Sequence, residues 1–128
     1  MIKYKATITA IGPYVAEFID HNILVLFGET APDELAEFSI IHDGKKMQGS
    51  LTVGDLVFLG DARFAVLAVG EVANDNLKNL GHLILKFNGE TEPEMAGDVC
   101  MEAKPLPAIE PGMEIRIEEG EKIRMENL

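Results

Sequence analysis

With 128 residues, 47% of them hydrophobic, the chain has the length of one domain, taken as 1–128, and enough apolar material to fold without staples. Its 11 basic and 22 acidic residues give a net charge of −11, which repels phosphate and excludes unspecific binding to nucleic acid or anionic membranes. One cysteine, Cys100, excludes an internal disulfide framework, and no apolar run approaches the ~18 residues of a membrane span.

The first element alternates: Ile2, Tyr4, Ala6, Ile8 and Ala10 against Lys3, Lys5, Thr7 and Thr9. That is the period of a half-buried strand, and Gly12-Pro13 ends it. Asn22 to Phe27 is a short apolar run closed by Gly28 and suits a core strand. Thr30 to Leu35 reads as one capped helical turn, with Thr30 as cap, Pro32 in the first turn and acids near the dipole. Phe38 to Ile41 is apolar again, and Asp43-Gly44 signals a tight turn, so His42 falls at a strand end. Met47 to Thr52, Leu56 to Leu59 and Arg63 to Val69 follow as strands, the last two marked off by Gly54-Asp55 and Gly60-Asp61.

The period then changes to three and four at Val72, Ala73, Asn76, Leu77 and Leu80, with Gly81 as the stop. This predicts a short helix near 72–80. His82 to Phe87 returns to strand before Asn88-Gly89. Asp98 to Ala103, Met113 to Glu118 and Lys122 to Glu126 complete the strands. Between them, Pro105, Pro107 and Pro111 make an irregular linker. About ten short strands and one helix predict a mainly β fold: a small closed or partly open antiparallel barrel, sandwich-like. The absence of strand–helix alternation rules out a doubly wound sheet.

The charge is uneven. Residues 1–64 carry 5 basic and 9 acidic groups, residues 65–128 carry 6 and 13. The excess reads as solvated surface, or as an acidic patch that steers a basic partner. The start, Met1 to Ala6, lacks the apolar stretch of a signal peptide, so a cytoplasmic location is expected.

Phosphate-binding glycine loops, paired zinc-spaced histidines and acyl-transfer serine turns are all missing from the sequence. No metal and no cofactor is expected. The candidates reduce to three histidines, Cys100 and the carboxylates. His42, rigid on its strand side and open toward the turn, suits a positioned acid, base or nucleophile, or simply a half-exposed polar residue. His82 follows the helix stop. It serves either the negative end of the helix dipole or a second imidazole reaching His42 across the sheet. His21 lies in a polar turn and reads as surface. Cys100, flanked by Asp98 and Glu102, lacks the basic neighbourhood of a thiolate and reads as a small core residue. The amides opening the helix, at Val72 to Asn76, offer an anion cradle or merely an ordinary first turn.

Two segments together carry a family resemblance. One is Glu37-Phe38-Ser39-Ile40-Ile41-His42 with Gly49 and Leu51; the other runs from Ala68 through Gly70, Asn74-Asp75-Asn76-Leu77 and Leu80-Gly81-His82-Leu83. In order and spacing they resemble the glucitol/sorbitol-specific enzyme IIA component of the bacterial phosphoenolpyruvate-dependent sugar phosphotransferase system. Lys5 to Gly12 and Ile109-Glu110-Pro111-Gly112 fit the same family, so the resemblance spans nearly the whole chain.

The resemblance implies a mostly β, barrel-like phosphocarrier, a phosphotransferase that works through a phosphohistidine. It would accept the phosphoryl group from the phosphohistidine of HPr and pass it to a cysteine of the IIB component, which acts with IIC in sugar uptake. It places the phosphohistidine at His42. Family members can carry a second histidine just behind the first. Here Asp43, Gly44 and Lys45 stand there, which leaves His82 as the possible phosphate-stabilising partner. The resemblance also implies that HPr presents a face with basic and apolar residues; an acidic rim near His42 would then speed encounter with it. A non-catalytic regulatory or ligand-binding barrel of the same fold stays open as the alternative.

Overall fold

The computed structural model describes residues 1–120. Within them eight strands close into a barrel: β1 (Ile2–Ile11), β2 (Ile23–Gly28), β3 (Ile40–His42), β4 (Leu56–Leu59), β5 (Ala62–Val69), β6 (Leu83–Lys86), β7 (Asp98–Met101) and β8 (Glu114–Glu118). Their order around the barrel is β1-β3-β2-β6-β7-β5-β4-β8, and β8 returns to pair with β1. Closure leaves no free sheet edge, which lets so short a set of strands stand alone. The mainly β barrel expected from the alternation is the architecture found.

The periods explain the interior. Phe64, Val66 and Ala68 of β5, Val57 and Leu59 of β4, Ile115 and Ile117 of β8, and Leu83 and Leu85 of β6 alternate with half-exposed neighbours and fill the core. β7 (Asp98-Val99-Cys100-Met101) is buried at every position.

Three features depart from the sequence reading. First, the barrel is not wholly antiparallel: β3 runs parallel to β2, and β7 parallel to β6. Each crossover uses only eleven residues, 29–39 and 87–97, so neither signals itself as a strand–helix–strand unit. Second, a helix the sequence reading did not mark is present, α1 (Val15–Ile19), and the helical turn expected at Thr30 to Leu35 is found as α2 (Asp33–Ala36), both before the expected α3 (Ala73–Leu80). They are too short to show a helical period. In α2 the cap position falls on Pro32 rather than Thr30 and carries no side-chain hydrogen bond. Third, Met47 to Thr52 is not a strand. Gly49 takes φ 73° there, and the segment is held by single bonds: Gln48 N–H to the Lys3 carbonyl at 2.8 Å, and Leu51 to both ends of the Asn74 amide at 2.7 and 3.0 Å. The strand expected at Lys122 to Glu126 lies outside the described residues.

Candidate functional site

The site begins with the parity of β3. Ile40 is inward and fully buried, so His42, two residues on, faces the same way. His42 is 1% exposed. An imidazole on an open rim, as the turn signal implied, is therefore not what the fold makes. The ring lies inside the end of the barrel wall, opposite Ile8 of β1 and Gly28 of β2. Nor does Asp43-Gly44 form a hairpin. Asp43 continues alongside β1, donating its N–H to the Thr7 carbonyl (3.1 Å) and accepting the Thr7 N–H at Oδ1 (2.7 Å).

Both ring nitrogens of His42 have partners. Nε2 lies 2.7 Å from the carbonyl oxygen of Gly81, and the Gly44 N–H points at Nδ1 from 3.1 Å. A carbonyl only accepts and an amide N–H only donates, so the partners themselves require a neutral ring protonated at Nε2. Tyr4 meets the ring edge-on at 5.9 Å between centroids.

The Gly81 carbonyl is delivered by the end of α3. Gly81 closes the helix in the left-handed region (φ 65°, ψ 20°), donating its N–H to Leu77 O at 2.9 Å. A Cβ at this position would stand 2.9 Å from His42 Cε1 and 3.0 Å from the Gly28 nitrogen. The glycine thus stops the helix and lets it touch the ring. Gly81→Ala should cost about 1–2 kcal/mol from backbone strain alone, and more from the contact. Urea unfolding measures the loss, and the His42 ring signals should shift with it.

Burial holds the His42 pKa below the usual 6.5, against the Gly81 hydrogen bond and the nearby charges of Asp43 and Glu29, which raise it. The native state therefore binds this proton more weakly than the unfolded chain. Above pH 6.5 His42 adds no pH dependence to stability. As pH falls through 6.5 toward the lower native value, stability is lost. An NMR titration should place the His42 midpoint below 6.5, and His42→Gln should remove that part of the acid slope. A midpoint at or above 6.5 contradicts the buried neutral ring.

A pocket of about 310 Å³ opens at the ring, lined by Tyr4, Glu29, Thr30, Asp43, Gly44 and Lys45 among others, with Leu77 to Gly81 across from them. The Tyr4 hydroxyl lies against Gly44: a Cβ there would come within 2.5 Å of its oxygen. Burial and the Asp43 charge push the Tyr4 pKa up to about 12, so the hydroxyl keeps its proton and stays a donor. The charged lining is balanced, Glu29 and Asp43 against Lys45 and Lys78. An adjoining basin carries Lys3, Lys5, Lys45 and Lys46 with Asp43 as its one acid. The charges that line these two pockets are mixed rather than predominantly acidic.

The other candidates lie elsewhere. His82 opens away from this pocket. Its Nδ1 donates to the Leu26 carbonyl at 3.1 Å, its ring tilts against Phe27, and it lines an apolar groove with Phe18, Leu35 and Phe38. The structure does not bring His42 and His82 into one pocket. On the phosphocarrier role that the resemblance implies, His82→Gln should leave phosphoryl acceptance close to that of the parent in a labelling time course, rather than cost the ~10²–10³ typical of a lost oxyanion donor. His21 is exposed in the turn before β2. Cys100 is buried, its thiol pKa pushed up by burial, with Sγ toward the Glu92 carbonyl at 3.6 Å. Of the amides opening α3, Val72 N–H donates to the Ala96 carbonyl (3.0 Å), Ala73 N–H to the Gly70 carbonyl (3.1 Å) and Asn76 N–H to the Val72 carbonyl (3.0 Å). Among the described residues no group of three or more His, Cys, Asp or Glu is placed to hold a metal ion. Tyr4, Gly44 and Gly81 are the site residues that sequence reasoning missed; the alternation marked Tyr4 only as inward-facing.

Comparison with known proteins agrees on one family. The family model for the PTS system glucitol/sorbitol-specific IIA component matches residues 3–116. Glucitol/sorbitol-specific EIIA components of Shigella flexneri and Escherichia coli (strain K12) are each 40% identical over 118 residues, covering 91% of this chain and 95% of theirs. The crystal structure of a PTS system IIA component from Enterococcus faecalis V583 superposes with a TM-score of 0.74 at 30% identity, covering 87% of this chain and 96% of that one.

Proposed function

The chain belongs to the glucitol/sorbitol-specific IIA component family of the phosphotransferase system, and from that premise we propose that it is a cytoplasmic phosphocarrier with His42 as its phosphohistidine. It takes the phosphoryl group from the phosphohistidine of HPr and gives it to the cysteine of the glucitol/sorbitol-specific IIB component, which acts with IIC. Among the described residues no helix is long and apolar enough to cross a membrane.

One observation carries the reading. His42 is a neutral imidazole with both nitrogens oriented by backbone groups, buried in the wall of a pocket. Phosphoryl transfer asks little covalent chemistry of a protein and much positioning. A ring fixed in one tautomer has no reorganisation left to do when a phosphoryl donor arrives. Its lowered pKa keeps it unprotonated at neutral pH, so no separate base is needed. The amide of Gly44, the hydroxyl of Tyr4 and the ammonium of Lys45 surround the space with donors suited to phosphoryl oxygens.

The test is incubation with enzyme I, HPr and labelled phosphoenolpyruvate, followed by mapping of the label. The expected result is a single acid-labile, base-stable adduct on His42. No incorporation would favour the non-catalytic barrel, and label on Cys100 would overturn the site.

A further inference from the structure

The outer face of the β2–β6 ladder carries an apolar groove that the described fold does not fill. We propose that this groove is a docking site for a basic amphipathic helix of a partner protein, separate from the His42 pocket and occupied while that pocket stays open.

The groove, about 300 Å³, is lined by Phe18 of α1, Val25 and Phe27 of β2, Leu35 of α2, Phe38, and Ile84 of β6. Its two polar side chains are engaged within the fold. Ser39 Oγ donates to the Leu35 carbonyl at 2.7 Å, and His82 Nδ1 to the Leu26 carbonyl at 3.1 Å. Leu35 is 47% exposed and Phe38 36%, so apolar surface faces solvent along the wall. Phe38 is nonetheless fixed, its ring stacked on Phe18 at 5.4 Å and on Tyr14 at 5.2 Å between centroids. Rigid aromatic walls around an apolar slot suit an anchoring side chain.

Charge selects the occupant. Between Lys5 and Lys45 the chain holds seven acids and no lysine or arginine. Five of them, Glu17, Asp20, Asp33, Glu34 and Glu37, lie on or at the ends of α1 and α2, whose Phe18 and Leu35 line the groove, and all five are exposed. Asp20 and Glu37 stand at the helix C-caps, where the dipole disfavours an acid. Every ion pair among the described residues lies elsewhere. An apolar slot among unpaired acids matches apolar side chains flanked by lysine and arginine. The barrel is closed, so no free edge offers backbone pairing, and a helix laid in the groove is the mode left.

Other occupants fit less well. A second copy would bring the same acids against these, and an anionic membrane would be repelled in the same way. Residues 121–128 leave from the far end of β1, where Ile2 pairs with Glu118, whereas Ile11 and Gly12 meet Ile40 and Ser39 beside the groove. The groove shares no lining residue with the His42 pocket. On the phosphocarrier reading, one partner can therefore hold the protein while another exchanges its phosphoryl group.

The probe is a synthetic peptide of about 15 residues with leucines at i, i+3, i+4 and i+7 and lysines between them. Its counterpart carries glutamates for the lysines. Added to the 15N-labelled full chain, the lysine peptide should shift the amides of Phe18, Leu35, Phe38 and His82, and the glutamate peptide should bind about tenfold more weakly or less. The triple variant Asp33→Lys, Glu34→Lys, Glu37→Lys should lose that preference. Leu35→Ser, at an exposed position, should weaken the lysine peptide about tenfold while the barrel stays folded. No shifts, equal binding of both peptides, or shifts centred on another surface overturn the proposal. Self-association of the free chain that Leu35→Ser abolishes also overturns it, because the occupant is then a second copy. His42→Gln should bind like the parent, so these arms stand whether or not His42 carries phosphate. With the lysine peptide saturating, HPr should still label His42; labelling blocked by the peptide makes the groove part of the donor's own footprint and overturns the separate site. Absence of labelling without the peptide removes only the phosphocarrier reading.

Discussion

Replacing His42 with glutamine is expected to reduce phosphoryl incorporation to background while the barrel stays folded. The loss is complete because no second imidazole lines the pocket. His42→Ala should lose the label equally but behave differently in unfolding. The ring is 1% exposed and satisfies two backbone groups, so alanine strands the Gly81 carbonyl and the Gly44 N–H and leaves a void. An unsatisfied buried partner costs about 1–3 kcal/mol. Glutamine offers both a donor and an acceptor and should recover part of that. Labelling with radioactive phosphoenolpyruvate and urea unfolding of the two variants read the two effects separately. Label that persists in either variant would move the phosphocarrier chemistry off His42.

The same residue shows where the sequence was legible. The turn signals Gly54-Asp55 and Gly60-Asp61 located β4 and β5 nearly to the residue, and the switch to three-and-four spacing located α3. The switch is legible because the helix buries one face, and the face repeats. β3 is only three residues long, too short for its parity to show, so the inward direction of His42 had to come from Ile40 in the structure. The turn chemistry of Asp43-Gly44 was overridden by β1, which offers Asp43 a ladder position. Gly81 was readable as a helix stop, but not as the acceptor for a ring 39 positions earlier. His82 stood as the possible partner because Asp43, Gly44 and Lys45, not a second histidine, follow His42. It begins the return to β6, where its ring meets Phe27 and lines a separate apolar groove. Lys3 reads as outward in the alternation, yet it is buried, because the β1–β8 register shifts between Ile2 and Tyr4.

That buried lysine sets the largest expected effect on stability. Lys3 Nζ lies 2.7 Å from Asp55 Oδ2 and 2.8 Å from the Ser50 carbonyl, with the Lys3 and Asp55 side chains 6% and 0% exposed. Asp55 also accepts the Thr52 N–H at 2.9 Å and, at Oδ1, the Gly120 N–H at 3.4 Å. One carboxylate therefore joins the start of β1, the 50–55 loop and the chain after β8. Asp55→Ala removes all three links and leaves an ammonium in the interior. Breaking a buried pair from one side costs about 3–5 kcal/mol, a large share of the ~5–15 kcal/mol that holds a domain together. Lys3→Met should cost less, since the carboxylate keeps its two amide donors. The double variant Lys3→Met with Asp55→Asn should be more stable than Asp55→Ala, because it buries no charge and preserves an acceptor for Thr52. Urea unfolding of Lys3→Met, Asp55→Asn and their double variant completes the cycle. Strict additivity would mean that the two charges do not meet. The consequence reaches the site as well: Tyr4 follows Lys3 on β1 and borders the pocket over Gly44. A loosened strand start should therefore slow phosphoryl acceptance in Asp55→Ala even at temperatures where that variant remains folded.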